Sequence, residues 1–183
     1  MMRTFEDAPV YEIYALKYAG PLKRRLAMLL WMEGWDEEIE ENYYIWVIKG
    51  RGEILVVDVG MRVTLAEEQK VRNFVDPVDV LERVGVTGNN LRRIILTHLH
   101  FDHAGGIDRF AQVFPEATFF IQEKEFNFWL HDPIARRGPM PAMAKRVYFV
   151  LEILERARLV RACSFMCAAV MMSTTFRVRS SPS

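Results

Sequence analysis

An α/β fold is predicted by three features of this sequence. Residues 92–97 carry Ile94, Ile95 and Leu96 without alternation, as a strand covered on both faces does. Asp76-Pro77 is a helix-start signal, an N-cap followed by proline at the first helical position. From there to residue 130, segments with helical and extended character take turns, which is the pattern of strands joined by helices.

Taken in order, residues 10–18 read as a strand by their aliphatic and aromatic content, and residues 42–49 and 53–59 as two strands of a hairpin around Gly50-Arg51-Gly52. Residues 21–32 are expected to form a short helix with Lys23, Arg24 and Arg25 at one end, and the acidic stretch 33–41 a solvated connection. After Asp76, the residues Val80, Leu81 and Val84 give a helix its apolar face, and Gly85 stops it. Residues 117–122 read as a strand and 123–130 as a helix, whereas 131–141, with three prolines and Gly138, must be a loop. Met143, Val147, Val150, Leu151 and Leu154 recur at helical spacing and Glu152 stands four residues before Arg156, so 142–158 is predicted helical. Nothing repeats internally, and residues 1–160 are read as one domain.

Composition removes several classes of function. With 24 Lys+Arg against 24 Asp+Glu there is no net charge to attract nucleic acid, so no nucleic-acid partner is expected. Since no apolar run approaches the roughly 18 residues a membrane span needs, no membrane partner is expected either. The start of the chain turns acidic at Glu6-Asp7 where a secretory signal would be apolar, which predicts a cytoplasmic protein. Cys163 and Cys167 are too few for a disulfide framework.

Composition also changes along the chain. Residues 1–160 contain no serine and no cysteine, residues 161–183 hold five serines and both cysteines, and the last acidic residue is Glu155. Residues 161–183 are therefore an atypical tail, and two explanations stay open: a short natural tail, or a reading frame that slips near residue 160.

The chemistry concentrates in one place. Three of the four histidines fall in Thr97-His98-Leu99-His100-Phe101-Asp102-His103-Ala104-Gly105-Gly106, directly after the aliphatic strand. Ligands of open α/β sheets gather at the carboxyl ends of strands, and two histidines one residue apart at such an end can aim at a common point. Asp102 and His103 follow one turn on. Imidazole and carboxylate are what a borderline cation such as zinc prefers, so His98, His100, Asp102 and His103 are the candidate metal ligands. Gly105-Gly106 allows a tight turn into a following helix. His131, beside Asp132-Pro133, is read as a surface residue.

The run His98-x-His100-x-Asp102-His103 resembles the metal-binding motif of the metallo-β-lactamase superfamily, and Asp58-Val59-Gly60 is similar to the Asp-x-Gly that ends an earlier strand of that fold. The likeness is closer to the N-acyl homoserine lactonase branch, through Tyr11 to Leu16, Tyr44 to Ile48, Ile95 to Gly106 and Phe120 to Glu125 in that order. It implies the amino-terminal part of an αββα sandwich whose second half is missing. It also implies a zinc-dependent, quorum-quenching hydrolase acting on a small ester or lactone, with His98 and His100 on one ion and Asp102 and His103 on a second. A hydroxide held between the ions would attack the carbonyl, and Asp102 would act catalytically by passing a proton to the leaving alkoxide. Asp58 would hold the histidine loop by hydrogen bonds. The family's remaining ligands, a histidine from a Gly-Gly-His turn, a bridging aspartate and a final histidine, find no match, since no histidine or aspartate follows residue 160. Weak metal occupancy, poor hydrolysis and exposed apolar surface are the expected consequences.

Two rivals accompany this reading. Within the fold, thioesterase or glyoxalase II activity is the nearest. From another class, the chain is a catalytically inactive fragment, or a half-domain completed by a partner chain, a homodimer included, through its open sheet edge. Met28, Leu29, Trp31 and Met32 are candidates for an acyl pocket, against the plainer reading of a core or partner contact.

Overall fold

The computed structural model describes residues 10–30, 33–131, 150 and 154, and the backbone of 159–162 and 175–180. Strands β1 (Val10–Arg25), β2 (Glu38–Gly50) and β3 (Glu53–Val57) come first, followed by helices α1 (Val63–Glu68) and α2 (Pro77–Glu82). Strand β4 (Arg93–Leu96), helices α3 (Phe101–Ala104) and α4 (Ile107–Val113), strand β5 (Thr118–Gln122) and helix α5 (Glu123–His131) alternate after them, and β6 (Leu159–Ala162) and β7 (Thr175–Ser180) complete the sheet. Its order is β6-β5-β4-β3-β2-β1-β7. The β1–β2 and β2–β3 pairs are antiparallel, whereas β3, β4, β5 and β6 run parallel, each parallel pair bridged by helices. β7 pairs parallel with β1, so the tail supplies one edge strand.

One face of this sheet and the helices over it make the core. Leu16, Tyr18, Ile45, Val47, Val56, Ile94, Leu96, Phe119 and Ile121 from the strands meet Val78, Leu81, Ile107 and Phe110 from α2 and α4, all buried. On β2 the period of two is clean: Tyr43, Ile45 and Val47 are buried, while Tyr44 and Trp46 between them are exposed. β4 is less covered than its three consecutive aliphatics predict, because Ile95, on the opposite face from Ile94 and Leu96, is only half-buried.

Turn and cap chemistry follows the sequence closely. Arg51 and Gly52 both take positive φ (56° and 75°), as a two-residue hairpin turn requires. The Asp76 side chain accepts from the Val78 N–H at the start of α2, with Pro77 behind it, and Gly85 leaves the helix at φ 72°.

The helix expected over 21–32 is corrected. β1 continues to Arg25, and only a single 3-10 turn, Leu26–Met28, follows. The reason is a non-local one: Lys23, Arg24 and Arg25 lie opposite Glu40, Ile39 and Glu38, so the basic block and the acidic "connection" are two sides of one antiparallel ladder. Arg24 Nε binds the Glu41 carboxylate, and Arg24 also donates to the Tyr43 hydroxyl (2.8 Å). Cross-strand opposite charges hold a register that neither block reveals alone. The helix predicted over 142–158 is described only at Val150 and Leu154, both helical and buried; its other residues, the loop at 132–141, Trp31, Met32, Cys163 and Cys167 lie outside the described residues. Of the acyl-pocket candidates, Leu29 is exposed.

Candidate metal centre

The parallel neighbours β3 and β4 end side by side, with Val57 opposite Ile95, and the chemistry sits just beyond them. Asp58 leaves β3 and donates its N–H to the Ile95 carbonyl (2.8 Å). Thr97 to His100 leaves β4 and runs into the one-turn helix α3, which carries Asp102 and His103. Backbone hydrogen bonds lace the two segments together: Val59 N–H donates to the His103 carbonyl (2.7 Å) and Gly106 N–H to the Gly60 carbonyl (2.9 Å). That closeness explains one glycine, and a positive φ beside α2 explains another. A Cβ on Gly106 would stand 2.6 Å from the Val59 carbonyl oxygen, and Gly60, at φ 69°, would press a Cβ to 2.7 Å from Pro77.

The three imidazoles meet here. The ring centroid of His98 lies 4.6 Å from that of His100 and 4.0 Å from that of His103. The Asp102 carboxylate is 3.6 Å from His103 Nε2. His131, read from the sequence as a surface residue of the loop, is the last residue of α5 and is exposed.

Asp58 organises the group. Only 3% exposed, it is held at φ 64°, a left-handed conformation that Asp tolerates better than most residues. Its Oδ1 accepts from the Thr97 N–H (2.8 Å) and its Oδ2 from His103 Nδ1 (2.8 Å), while the Thr97 hydroxyl reaches both oxygens at 2.9 Å. A carboxylate only accepts, so the proton on this side of His103 is on Nδ1, and in the uncharged ring Nε2 keeps the lone pair. The Thr97 hydroxyl has one proton, directed to Asp58, so at its 3.0 Å contact with His98 Nδ1 the imidazole must donate. One buried carboxyl thus sets the tautomer of two histidines, of His103 directly and of His98 through Thr97, and frees Nε2 on both.

Electrostatics separates the two rings. Burial, with the positive charge of His103 and His100 added, pulls His98 below the usual histidine range, which keeps it neutral. Burial acts the same way on His103, but the hydrogen bond and charge of Asp58, with the charge of Asp102, outweigh it and hold that ring above the ordinary value.

Two further contacts come from residues to which sequence reasoning gives no role. Tyr18, 1% exposed on β1, donates its hydroxyl to the Asp102 carbonyl (2.7 Å), and burial followed by the Asp102 charge drives its hydroxyl well above the usual tyrosine range. Tyr18→Phe is expected to lower stability by about 1 kcal/mol, the net worth of such a bond, seen as a lower urea midpoint at unchanged slope. The second is Glu125 on α5, which accepts from the Leu99 N–H. No local signal marks Tyr18, 84 residues from its partner. Glu125 and Trp129 do share an i,i+4 spacing on a helix.

The model of the metallo-beta-lactamase superfamily matches residues 40–158, well over half of the chain. The chain belongs to the metallo-beta-lactamase superfamily. Among curated proteins this superfamily member is similar to the hydroxyacylglutathione hydrolase of Methylobacillus flagellatus, 33% identical over 94 residues that make 51% of this chain and 31% of the relative. It is also similar to the acyl-coenzyme A thioesterase MBLAC2 of Gallus gallus, 27% identical over 125 residues, 61% of this chain and 43% of that one. Among solved structures, a quorum-quenching N-acyl homoserine lactone lactonase shares the fold at 19% identity and a TM-score of 0.60, covering 82% of this chain and 56% of that one. An N-acyl homoserine lactone hydrolase with N-hexanoyl-L-homoserine bound at its catalytic metal center gives 18% identity and a TM-score of 0.61, covering 82% of this chain and 59% of that one. The superfamily member described here therefore spans from under a third to less than half of these curated relatives' length and under two thirds of the lactonases'.

The fold family implies a metal, and the donors fit one by their chemistry: three imidazoles, two with Nε2 freed by Asp58, and the Asp102 carboxylate at one strand end. As placed, no three His, Cys, Asp or Glu side chains among the described residues surround a common point as a finished cage. A cleft of about 490 Å³ elsewhere, lined by Met61, Arg62, Asp76, Asp108 and Arg109 among others, contains none of the histidines. Its cations are paired, Arg62 with Asp108 (3.2 Å) and Arg109 with Asp76 (3.5 Å).

Proposed function

We propose that this chain is a zinc-dependent hydrolase of acyl esters, with lactones such as N-acyl homoserine lactones as its substrate class. His98, His100, Asp102 and His103 would hold the metal. The observation that supports it most directly is the meeting of three imidazoles beyond β4, two of them with tautomers fixed through Asp58. When bound, zinc would supply Lewis acidity, making water a nucleophile near neutral pH and polarising the carbonyl under attack. The chain's own part is preparation. His98 stays uncharged, Asp58 and Thr97 orient the rings, and Tyr18 fixes the backbone of Asp102, whose carboxylate would take the proton released by the attacking water and pass it to the leaving oxygen.

A second reading is favoured by two of the curated relatives, one named a hydroxyacylglutathione hydrolase and the other an acyl-coenzyme A thioesterase: the same residues would serve hydrolysis at a C–S bond. The test uses the purified chain, with zinc added or chelator present, against a long-chain N-acyl homoserine lactone and a simple acyl thioester. Lactone hydrolysis that chelator abolishes and zinc restores is the expected result. Hydrolysis of the thioester alone moves the assignment to the second reading, and no turnover at any zinc level overturns both in favour of a noncatalytic half-domain completed by a partner chain.

A further inference from the structure

We infer that Glu125 is a positioning residue for the metal centre: from helix α5 it fixes the backbone between His98 and His100, and Trp129, one turn on, seats the ring of His100. The inference rests on the reading that these histidines hold a metal.

The geometry begins at the start of α5. The Gln122 side chain accepts from the Glu125 N–H (2.8 Å), capping the helix and directing its first turn toward the loop after β4. From there Glu125 Oε1 accepts two donors, the Leu99 N–H at 3.0 Å and the Trp129 indole Nε1–H at 2.8 Å. Leu99 is the residue between the two candidate ligands, and its own side chain is fully buried, so its amide has no water to turn to. Trp129 then sets its ring edge-on to His100, with centroids 6.0 Å apart and planes at 73°. One carboxyl oxygen joins the dipeptide backbone to the aromatic wall.

The consequence is specific. Imidazoles one residue apart converge only if the peptide between them keeps its orientation. Removing the acceptor lets that peptide rotate and leaves Leu99 and Trp129 each with an orphaned donor. Groups of this kind, one contact removed from a ligand, typically change metal affinity by about 10- to 100-fold when lost. Acceptance of the hydrogen bond is what matters, so glutamine, which keeps an acceptor at the same reach, substitutes for it, whereas aspartate, one methylene shorter, does not.

The test compares the unaltered chain with Glu125→Gln, Glu125→Asp and Glu125→Ala by two measurements. The first is hydrogen exchange at the Leu99 amide without metal. The second is affinity for Co²⁺ or Zn²⁺ by competition with a chromophoric chelator. Glu125→Gln should keep Leu99 protected and affinity within about 3-fold; Glu125→Asp and Glu125→Ala should expose the amide and weaken binding by about 10-fold or more. Should Glu125→Ala fail to fold, the aspartate variant decides. Equal protection and equal affinity in the aspartate and unaltered chains overturn the inference, as does a glutamine variant as weak as the aspartate one. A chain that binds neither ion while its Leu99 protection responds as expected overturns the metal reading instead, and the positioning role with it.

Discussion

Asp58→Ala is expected to lower stability by about 2–3 kcal/mol, a large part of what holds a domain of this size together. The magnitude follows from what the side chain satisfies: Thr97 by backbone and hydroxyl, and the Nδ1–H of His103, all around a carboxyl 3% exposed. Alanine takes a shared, charged acceptor from exposed Thr97 and half-buried His103, whose donors then turn in part to water, and it removes the charge that holds His103 above the ordinary histidine range. Alanine also accepts φ 64° less readily than Asp does. Asn is tolerant of that conformation and keeps one acceptor for Thr97, so Asp58→Asn should cost less than half as much while weakening metal binding about 10- to 100-fold. Urea unfolding of the metal-free chains separates the two effects from each other. A loss below about 1 kcal/mol for the alanine variant would remove Asp58 from the centre of the site.

Gly106→Ala should cost about 2–3 kcal/mol, near the upper end for a single added methyl group. The new Cβ would meet the Val59 carbonyl oxygen at 2.6 Å, and that atom belongs to a backbone already tied to the histidine segment by the Val59–His103 and Gly106–Gly60 hydrogen bonds. Neither side can yield without parting the two loops. Gly52→Ala is the matched control: its Cβ would touch nothing within 4 Å, but its φ of 75° disfavours a side chain, so it pays only the torsional cost of about 1 kcal/mol. Thermal or urea unfolding of both variants checks the order. Equal losses would show that the loops have more room than their spacing implies.

What the sequence made legible divides along a physical line. His98, His100, Asp102 and His103 could be singled out as candidates because they are local, within six residues at the end of an aliphatic strand. The cap at Asp76-Pro77 and the hairpin turn at Arg51-Gly52 were legible for the same reason, being fixed by dihedral and capping preferences of adjacent residues. The failures are non-local. Residues 21–25 carry helix-compatible composition, and only their pairing with 38–41, across a loop that brings opposite charges together, makes them strand. Tyr18 reaches Asp102 across 84 residues and Glu125 reaches Leu99 across 26, and no periodicity reports contacts of that kind. Asp58 stands between the two cases, marked by a turn-like sequence at a strand end but given its partners Thr97 and His103 only by the parallel alignment of β3 with β4.

That parallel alignment also leads us to expect an order of assembly. A hairpin such as β2–β3 can close through a two-residue turn, but β4 reaches β3 only after the intervening chain has wound through α1 and α2, and so the entropy of a long loop must be met first. Asp58 and Thr97, 39 residues apart, are therefore strangers until the crossover is complete. The histidine cradle is therefore expected to form late in folding, and an ion captured there would act as a lock on the finished sheet, not as a seed for it.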